Sequence, residues 1–194
     1  TVPFYLSVGL AISTDGGRTF ERASHAPVLG RGAGDPYLTA SPFVLHEEGR
    51  WRMWYISGTA WEHGSDGPRH FYHVKYTESA DGIRWEQPGR VAIDYAEPGE
   101  HAFGRPCVIR DAAGYWMWYS FRGERYRIGC AWSGEGVRWT RRDELGLGPS
   151  GGGWDSDETA YPWVFDAAGR RYMLYNGNGF GLTGVGLAIE ETPT

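Results

Sequence analysis

The sequence predicts an all-β chain of β-propeller type, about three blades of four antiparallel strands each. Three observations carry this. Glycine (30), proline (11), Trp (10), Tyr (12) and Phe (8) are abundant in 194 residues, a mix that suits short strands and tight turns rather than helices. One hairpin phrase occurs three times, as "SPFVLHEEGRWRMWY" from Ser41, "RPCVIRDAAGYWMWY" from Arg105 and "YPWVFDAAGRRYMLY" from Tyr161. A second phrase occurs three times as well, as "SVGLAISTDGGRTFER" from Ser7, "HVKYTESADGIRWEQ" from His73 and "RIGCAWSGEGVRWTR" from Arg127. Repetition of one supersecondary unit at a period of roughly 55–65 residues is the signature of a blade.

The elements follow in order. The chain opens on the second phrase, so residues 1–22 predict a half blade, strands C and D, with "VGLAI" at 8–12 on C. Residues 36–90 predict a whole blade. Its Pro42, Val44, Met53 and Tyr55 set the spacing repeated by Pro106, Val108, Met117 and Tyr119, and by Pro162, Val164, Met173 and Tyr175. In each copy two β-rich runs flank a turn, "HEEGR", "RDAAGY" or "DAAGR", which makes strands A and B of a hairpin. Strand C follows, then a turn opening on Ser79, Ser133 or Ser13, then a short strand D carrying Trp85, Trp139 or Phe20. Residues 100–143 predict a second whole blade. Residues 155–190 predict strands A, B and C of another, with "VGLAI" again on C at 185–189. About three blades do not close a ring of the usual four to eight, so the chain is expected to be part of a larger propeller or to complete one as a homo-oligomer.

Composition narrows the partners. A formal charge of −5, with 19 basic residues scattered among 24 acidic ones, argues against nucleic acid. No apolar run approaches the roughly 20 residues of a membrane span, and the first residues lack a basic start, so a soluble, cytoplasmic chain is favoured. Cys107 and Cys130 fall on strands A and C of one sheet with B between them, and are expected not to pair. No phosphate loop, nucleophile elbow or cysteine-rich metal motif is present.

Strand alternation sorts the connections between two rims. The tight A–B and C–D turns share one; segments 22–40, 59–71, 87–104, 141–159 and 176–184 share the other, where long connections favour function. That second rim is acidic and aromatic, a combination suited to a carbohydrate: rings stack on the apolar face of a sugar, and carboxylates accept hydroxyl hydrogens or move protons. The catalytic candidates are the acids just upstream of an A strand: Asp35, Glu100, and Asp157 or Glu158. Substrate-binding candidates are Tyr37, Trp61, His70, His101, Arg105, Trp154, Tyr161, Asn176 and Asn178. His70 and His73 are packing residues or sugar contacts rather than chelators, because three residues apart on a strand they face opposite sides. Asn176 and Asn178 serve either Asn-Gly turn chemistry or ligand contact. No cofactor is predicted; whether calcium plugs the axis is left open.

The repeats "GRWRMWYISG" and "YTESADGIRW" resemble those of the five-bladed propellers of the arabinanase, levansucrase and invertase type, glycoside hydrolase families 43, 32 and 130 and their relatives. The resemblance implies cleavage or transfer at a glycosidic bond by acids at the axial ends of successive innermost strands: a base, a stabilising Asp and a proton-donating Glu. By position Glu100 or Glu158 would be the donor and Asp35 or Asp157 the base or stabiliser. A donor of this kind needs a raised pKa. The alternative is a non-catalytic carbohydrate-binding or oligomerising propeller fragment. "STDGGRTF" also resembles the sialidase Asp box; the sister turns "SADGIRW" and "SGEGVRW" lack its Thr, which makes it turn chemistry.

Overall fold

A computed structural model describes residues 4–64 and 67–190. The first three residues of the predicted opening half blade lie outside the described residues. The chain divides into two compact units, Thr1–Val91 and Ala92–Thr194.

In the first unit, β1 (Ala11–Ile12) pairs antiparallel with β2 (Glu21–Arg22). The turn between them is built by Asp15, which accepts the Arg18 and Thr19 N–H groups at 3.0 Å and the Thr19 hydroxyl at 2.7 Å. These hydrogen bonds, the Thr19 N–H first among them, hold its carboxyl below the usual carboxylate range. Asp81 receives the Arg84 N–H at 2.7 Å, and Glu135 the Arg138 N–H at 2.7 Å, so the three sister turns share one side-chain-to-backbone design.

Strands β3 (Thr39–Glu47), β4 (Arg50–Gly64) and β5 (Gly67–Ser79) form an antiparallel meander. Two expectations are corrected here. Segment 59–71 is not a loop: the β4–β5 ladder runs on to Gly64 and Gly67 and sets Trp61 directly opposite His70. The aromatic run "HFYH" suits a strand, and Gly67 takes the left-handed turn position at φ 110° that most side chains avoid. The predicted fourth strand at Trp85 is likewise not formed. Among the described residues one backbone bond, Glu86 N–H to Glu78 C=O at 2.9 Å, ties that stretch to β5. Pro88 has no N–H to extend it, and the next strand, β6, is Arg90–Ile93. Trp85 instead packs against a buried cluster of Val8, Leu29, Met53 and Tyr55.

In the second unit, β7 (Ala102–Asp111), β8 (Gly114–Arg122), β9 (Tyr126–Ser133) and β10 (Thr140–Arg141) are four successive antiparallel strands, each paired with the next. Trp118 of β8 lies opposite both Cys107 and Cys130, so the two thiols are separated by a strand and are free. Then β11 (Ala160–Ala167), β12 (Arg170–Asn176) and β13 (Val185–Ile189), the second "VGLAI", form a three-stranded sheet.

The repeated phrase has one geometry. Val44 pairs with Met53, Val108 with Met117, and Val164 with Met173. In each copy the register slips at the same place, between Ala40 and Phe43, Gly104 and Cys107, and Ala160 and Trp163. The residue before the repeat proline sits in that bulge in left-handed conformation: Ser41 at φ 46°, Arg105 at φ 49° and Tyr161 at φ 55°. Such a conformation costs any residue other than glycine about 1–2 kcal/mol, and a bulge re-aims the side chain it carries. Among the described residues, no helix is long and apolar enough to cross a membrane.

Candidate functional site

The last tyrosine of each repeated hairpin holds an aspartate from a connecting segment. The Tyr55 hydroxyl lies 3.2 Å from both Asp35 oxygens, Tyr119 donates to Asp143 at 2.6 Å, and Tyr175 to Asp155 at 2.9 Å. These pairs fix where each long segment enters its sheet. Burial first, then the facing carboxylate, pushes all three phenols up, Tyr175 to about 12, so they remain neutral donors.

Asp35 is therefore a sealed anchor. It is 1% exposed, and Lys75 Nζ, itself buried, lies 3.2 Å from its Oδ1 while also donating to the Gly34 carbonyl. Burial between Tyr55 and Lys75 leaves the carboxylate no face for a sugar.

Glu100 is held just as firmly. Arg141 grips it with both ends, Nη2 to Oε1 at 2.7 Å and Nη1 to Oε2 at 2.8 Å, and the Ala96 N–H donates to Oε2 at 2.8 Å. Arg141 also reaches Asp143 at 2.6 Å and lies over Phe103, Tyr119 and Phe121. Burial alone would raise the Glu100 pKa, but the Arg141 and backbone hydrogen bonds outweigh it and the net shift is downward. The donor role expected of Glu100 calls for the opposite shift.

The remaining two acids stand elsewhere in the second unit, beside an aromatic platform. Asn178 Oδ1 accepts the N–H groups of both Asp157 and Glu158, at 2.8 and 2.9 Å, which ties the lead into β11 to the loop after β12. Glu158 Oε2 accepts the Gly179 N–H at 3.1 Å; Oε1 has no hydrogen-bond partner among the described residues. Asp157 accepts the Ser156 hydroxyl at 3.0 Å and faces Arg125 at 3.8 Å. Next to them Tyr161, Phe180 and Tyr126 form a ring cluster, with Tyr161 stacked on Phe180 at 6.0 Å and Tyr126 edge-on to Phe180 at 5.5 Å. Phe180 is 49% exposed and, at φ 62°, is held left-handed between two glycines, its carbonyl fixed by the Asn176 amide at 2.9 Å. The Arg105 guanidinium lies 5.5 Å over Tyr161, and that of Arg122 lies 5.4 Å over Tyr126. Burial, chiefly, raises the Tyr161 pKa, with Tyr126, Arg105, Glu158 and Arg122 all within electrostatic reach of its hydroxyl.

Of the predicted residues, then, Arg105, Asp157, Glu158, Tyr161, Asn176 and Asn178 come together. His101 is buried, with its ring Nε2 3.1 Å from the Gly123 carbonyl. Trp154, 36% exposed, stacks on Tyr175 at 5.5 Å and lies so close to Gly177 and Gly186 that a Cβ on either would strike its ring. Trp61, His70 and Phe4 form a separate aromatic cluster in the first unit, where His70 also stacks on Tyr72 at 4.8 Å. Tyr37 is partly exposed and packs across from Gly58.

Solved structures with similar backbones are carbohydrate enzymes. The BT0996 complex with RGII superposes with a TM-score of 0.67 at 19% identity, covering 90% of this chain and 53% of that protein. A family 117 glycoside hydrolase of Zobellia galactanivorans gives 0.60 at 19% identity over 78% of this chain and 50% of its own. A Bombyx mori GH32 β-fructofuranosidase gives 0.59 at 15% identity over 76% of this chain and 33% of its own. This chain has the β-propeller fold of the glycoside hydrolases. No family model matches the propeller's sequence. In sequence it is similar to the uncharacterized proteins MT1551 and Rv1502 of Mycobacterium tuberculosis strains CDC 1551 and H37Rv, 45% and 44% identical over 193 residues. The match takes in 98% of the propeller chain and spans 63% of each relative's length.

Several residues that shape the propeller's site are not singled out by the sequence. Phe180 and Tyr126 complete the platform, and Lys75 and Arg141 neutralise two of the candidate acids. Asp155 is the counterpart of Asp35, since each lies 20 residues before its tyrosine, and that shared spacing was the legible signal. A 340 Å³ cavity in the second unit, lined by Trp116, Trp118, Leu145, Met173 and Ile189 among others, contains none of the predicted site residues. Among the described residues no cluster of three His, Cys, Asp or Glu side chains is placed to hold a metal.

Proposed function

We propose that this chain forms the sugar-engaging part of a protein that cleaves or transfers a glycosidic bond, and that Glu158 and Asp157 are its reactive carboxylates. The observation that carries the reading is their accessibility. Of the four candidate acids, Asp35 and Glu100 are locked by cations, whereas Glu158 keeps one carboxylate oxygen without a hydrogen-bond partner among the described residues, beside the Tyr161–Phe180 rings. Aromatic faces adjoining an open carboxylate suit a sugar, since the rings cover its apolar C–H face and the oxygen accepts a hydroxyl hydrogen or exchanges a proton at the glycosidic oxygen. The fold shared with glycoside hydrolases supports the same chemistry class.

A panel of aryl glycosides tests this reading. Wild-type turnover is expected to fall by about 10²–10⁴-fold in Glu158→Gln, the usual loss on removing a general acid or base, while Glu100→Gln lowers stability without such a loss. Full activity in Glu158→Gln overturns the assignment. A second reading, binding without cleavage, is favoured by one observation: the two locked acids leave only neighbouring residues of one segment as a carboxylate pair. Glycan binding that persists in Glu158→Gln, with no wild-type turnover, decides for it.

A further inference from the structure

The platform carries two cations that no described carboxylate of the second unit pairs with. Arg105 is exposed within a run that is otherwise buried from His101 to Val108. Its guanidinium packs on the Tyr161 ring, at 5.5 Å, and has no carboxylate partner among the described residues. Arg122 lies over Tyr126 and donates to the Glu124 carbonyl at 3.5 Å. Three other arginines of the second unit are placed differently. Arg125, Arg141 and Arg171 each face at least one carboxylate. Arg105 is also held in place at a cost, in a left-handed bulge directly before Pro106, and the bulge turns its side chain out of a buried strand.

We propose that the sugar bound here is acidic, and that Arg105 pairs with its carboxylate while Tyr161 and Phe180 stack on the ring. This rests on the saccharide reading above and adds the substrate class. A guanidinium presents parallel N–H donors that match a carboxylate in two-point contact, and one already packed on an aromatic face loses little freedom on binding. Arg122 adds a second positive charge at the same cluster. Glu158 opposes these charges with one negative charge, already tied on one oxygen to Gly179, and Asp157 is matched by Arg125. These five side chains, three arginines and two acids, sum to +1 although the whole chain carries −5. A neutral sugar would leave that local excess unused; a uronate or sialate matches it.

The test is a glycan array on which uronate- and sialate-bearing glycans stand beside their carboxyl-reduced forms, probed with wild type, Arg105→Leu and Arg105→Lys. Exposed Arg105 supports no buried neighbour, so both variants are expected to fold, and a thermal melt checks that they do. Wild type is expected to bind acidic glycans and to lose about tenfold or more in affinity for the reduced forms, as for loss of a hydrogen bond to a charged group. Arg105→Leu is expected to lose the preference for acid and Arg105→Lys to keep part of it. Added salt should weaken binding to acidic glycans only. Equal binding of acidic and reduced forms, or an unchanged preference in Arg105→Leu, overturns the proposal while leaving sugar binding intact. No binding to any glycan defeats the saccharide reading itself.

Discussion

Replacing Arg141 with Met should expose how much of the second unit depends on one guanidinium. The cation is 16% exposed and grips Glu100, 6% exposed, through two bonds of 2.7 and 2.8 Å while also reaching Asp143 at 2.6 Å. Met keeps much of the packing on Phe103, Tyr119 and Phe121 but strands a buried carboxylate. Breaking such a pair from one side costs about 3–5 kcal/mol; the lower end applies because Asp143 is 27% exposed and water recovers part of its solvation. For a chain of this size, about 3 kcal/mol lowers Tm by roughly 6–12 °C. The pH dependence has a definite sign. Glu100 titrates below its ordinary 4.5 in the folded protein, so its pairing stabilises fully above that value and is lost as pH falls through the folded value. The gap between wild type and Arg141→Met should therefore be widest near neutrality and close as the pH drops below 4.5. Urea unfolding across that range measures it. Adding Glu100→Gln to Arg141→Met should recover part of the loss, because the stranded charge is removed. A deficit that stays constant with pH, or one under about 1 kcal/mol at neutrality, would refute the claim that Glu100 is a clamped carboxylate.

Two further outcomes follow from packing and burial. Gly129→Ala should cost about 1–3 kcal/mol, because its Cβ would strike the Asp143 carboxylate and the Tyr119 ring, whereas Gly148→Ala, whose Cβ meets nothing within 4 Å, should be close to neutral in the same denaturation assay. Equal effects at the two sites would mean that the Tyr119–Asp143 contact is loose. Burial pushes the Cys107 and Cys130 thiols up to about 11 and about 12, so neither should react with a thiol reagent at mildly alkaline pH until the protein is unfolded, when both should. Prompt labelling of the folded protein would contradict their buried placement.

The sequence by itself determined the repeat and, with it, the sheets. Pro, Val, Met and Tyr at fixed spacing specify a hairpin because alternation decides which residues face one another, and Val and Met pair across the strands in all three copies. It also determined the separation of the cysteines and the side-chain-built turns at Ser13, Ser79 and Ser133, all local matters of period and hydrogen-bonding reach. The lengths of the strands were less legible. The β4–β5 ladder continues through residues that resemble a polar loop, and Pro88 helps keep the Trp85 segment from forming a strand, since ladder extension depends on which N–H groups find a facing carbonyl.

Only the tertiary structure decided the fate of the candidate acids. In the sequence Asp35, Glu100, Asp157 and Glu158 are all carboxylates a few residues ahead of a strand, at unequal distances of seven, six, five and four residues from its proline. The surroundings of the first two are set by cations far away in the chain: Lys75 lies 40 residues from Asp35, and Arg141 lies 41 from Glu100, and each pairs with its carboxylate. Glu158 has no cation on its carboxylate among the described residues and Asp157 only the exposed Arg125 at 3.8 Å, while the partner that fixes their segment, Asn178, is neutral and binds their backbone. Charge pairing across a fold depends on distances of a few ångströms between residues distant in sequence, and spacing along the chain carries no record of them.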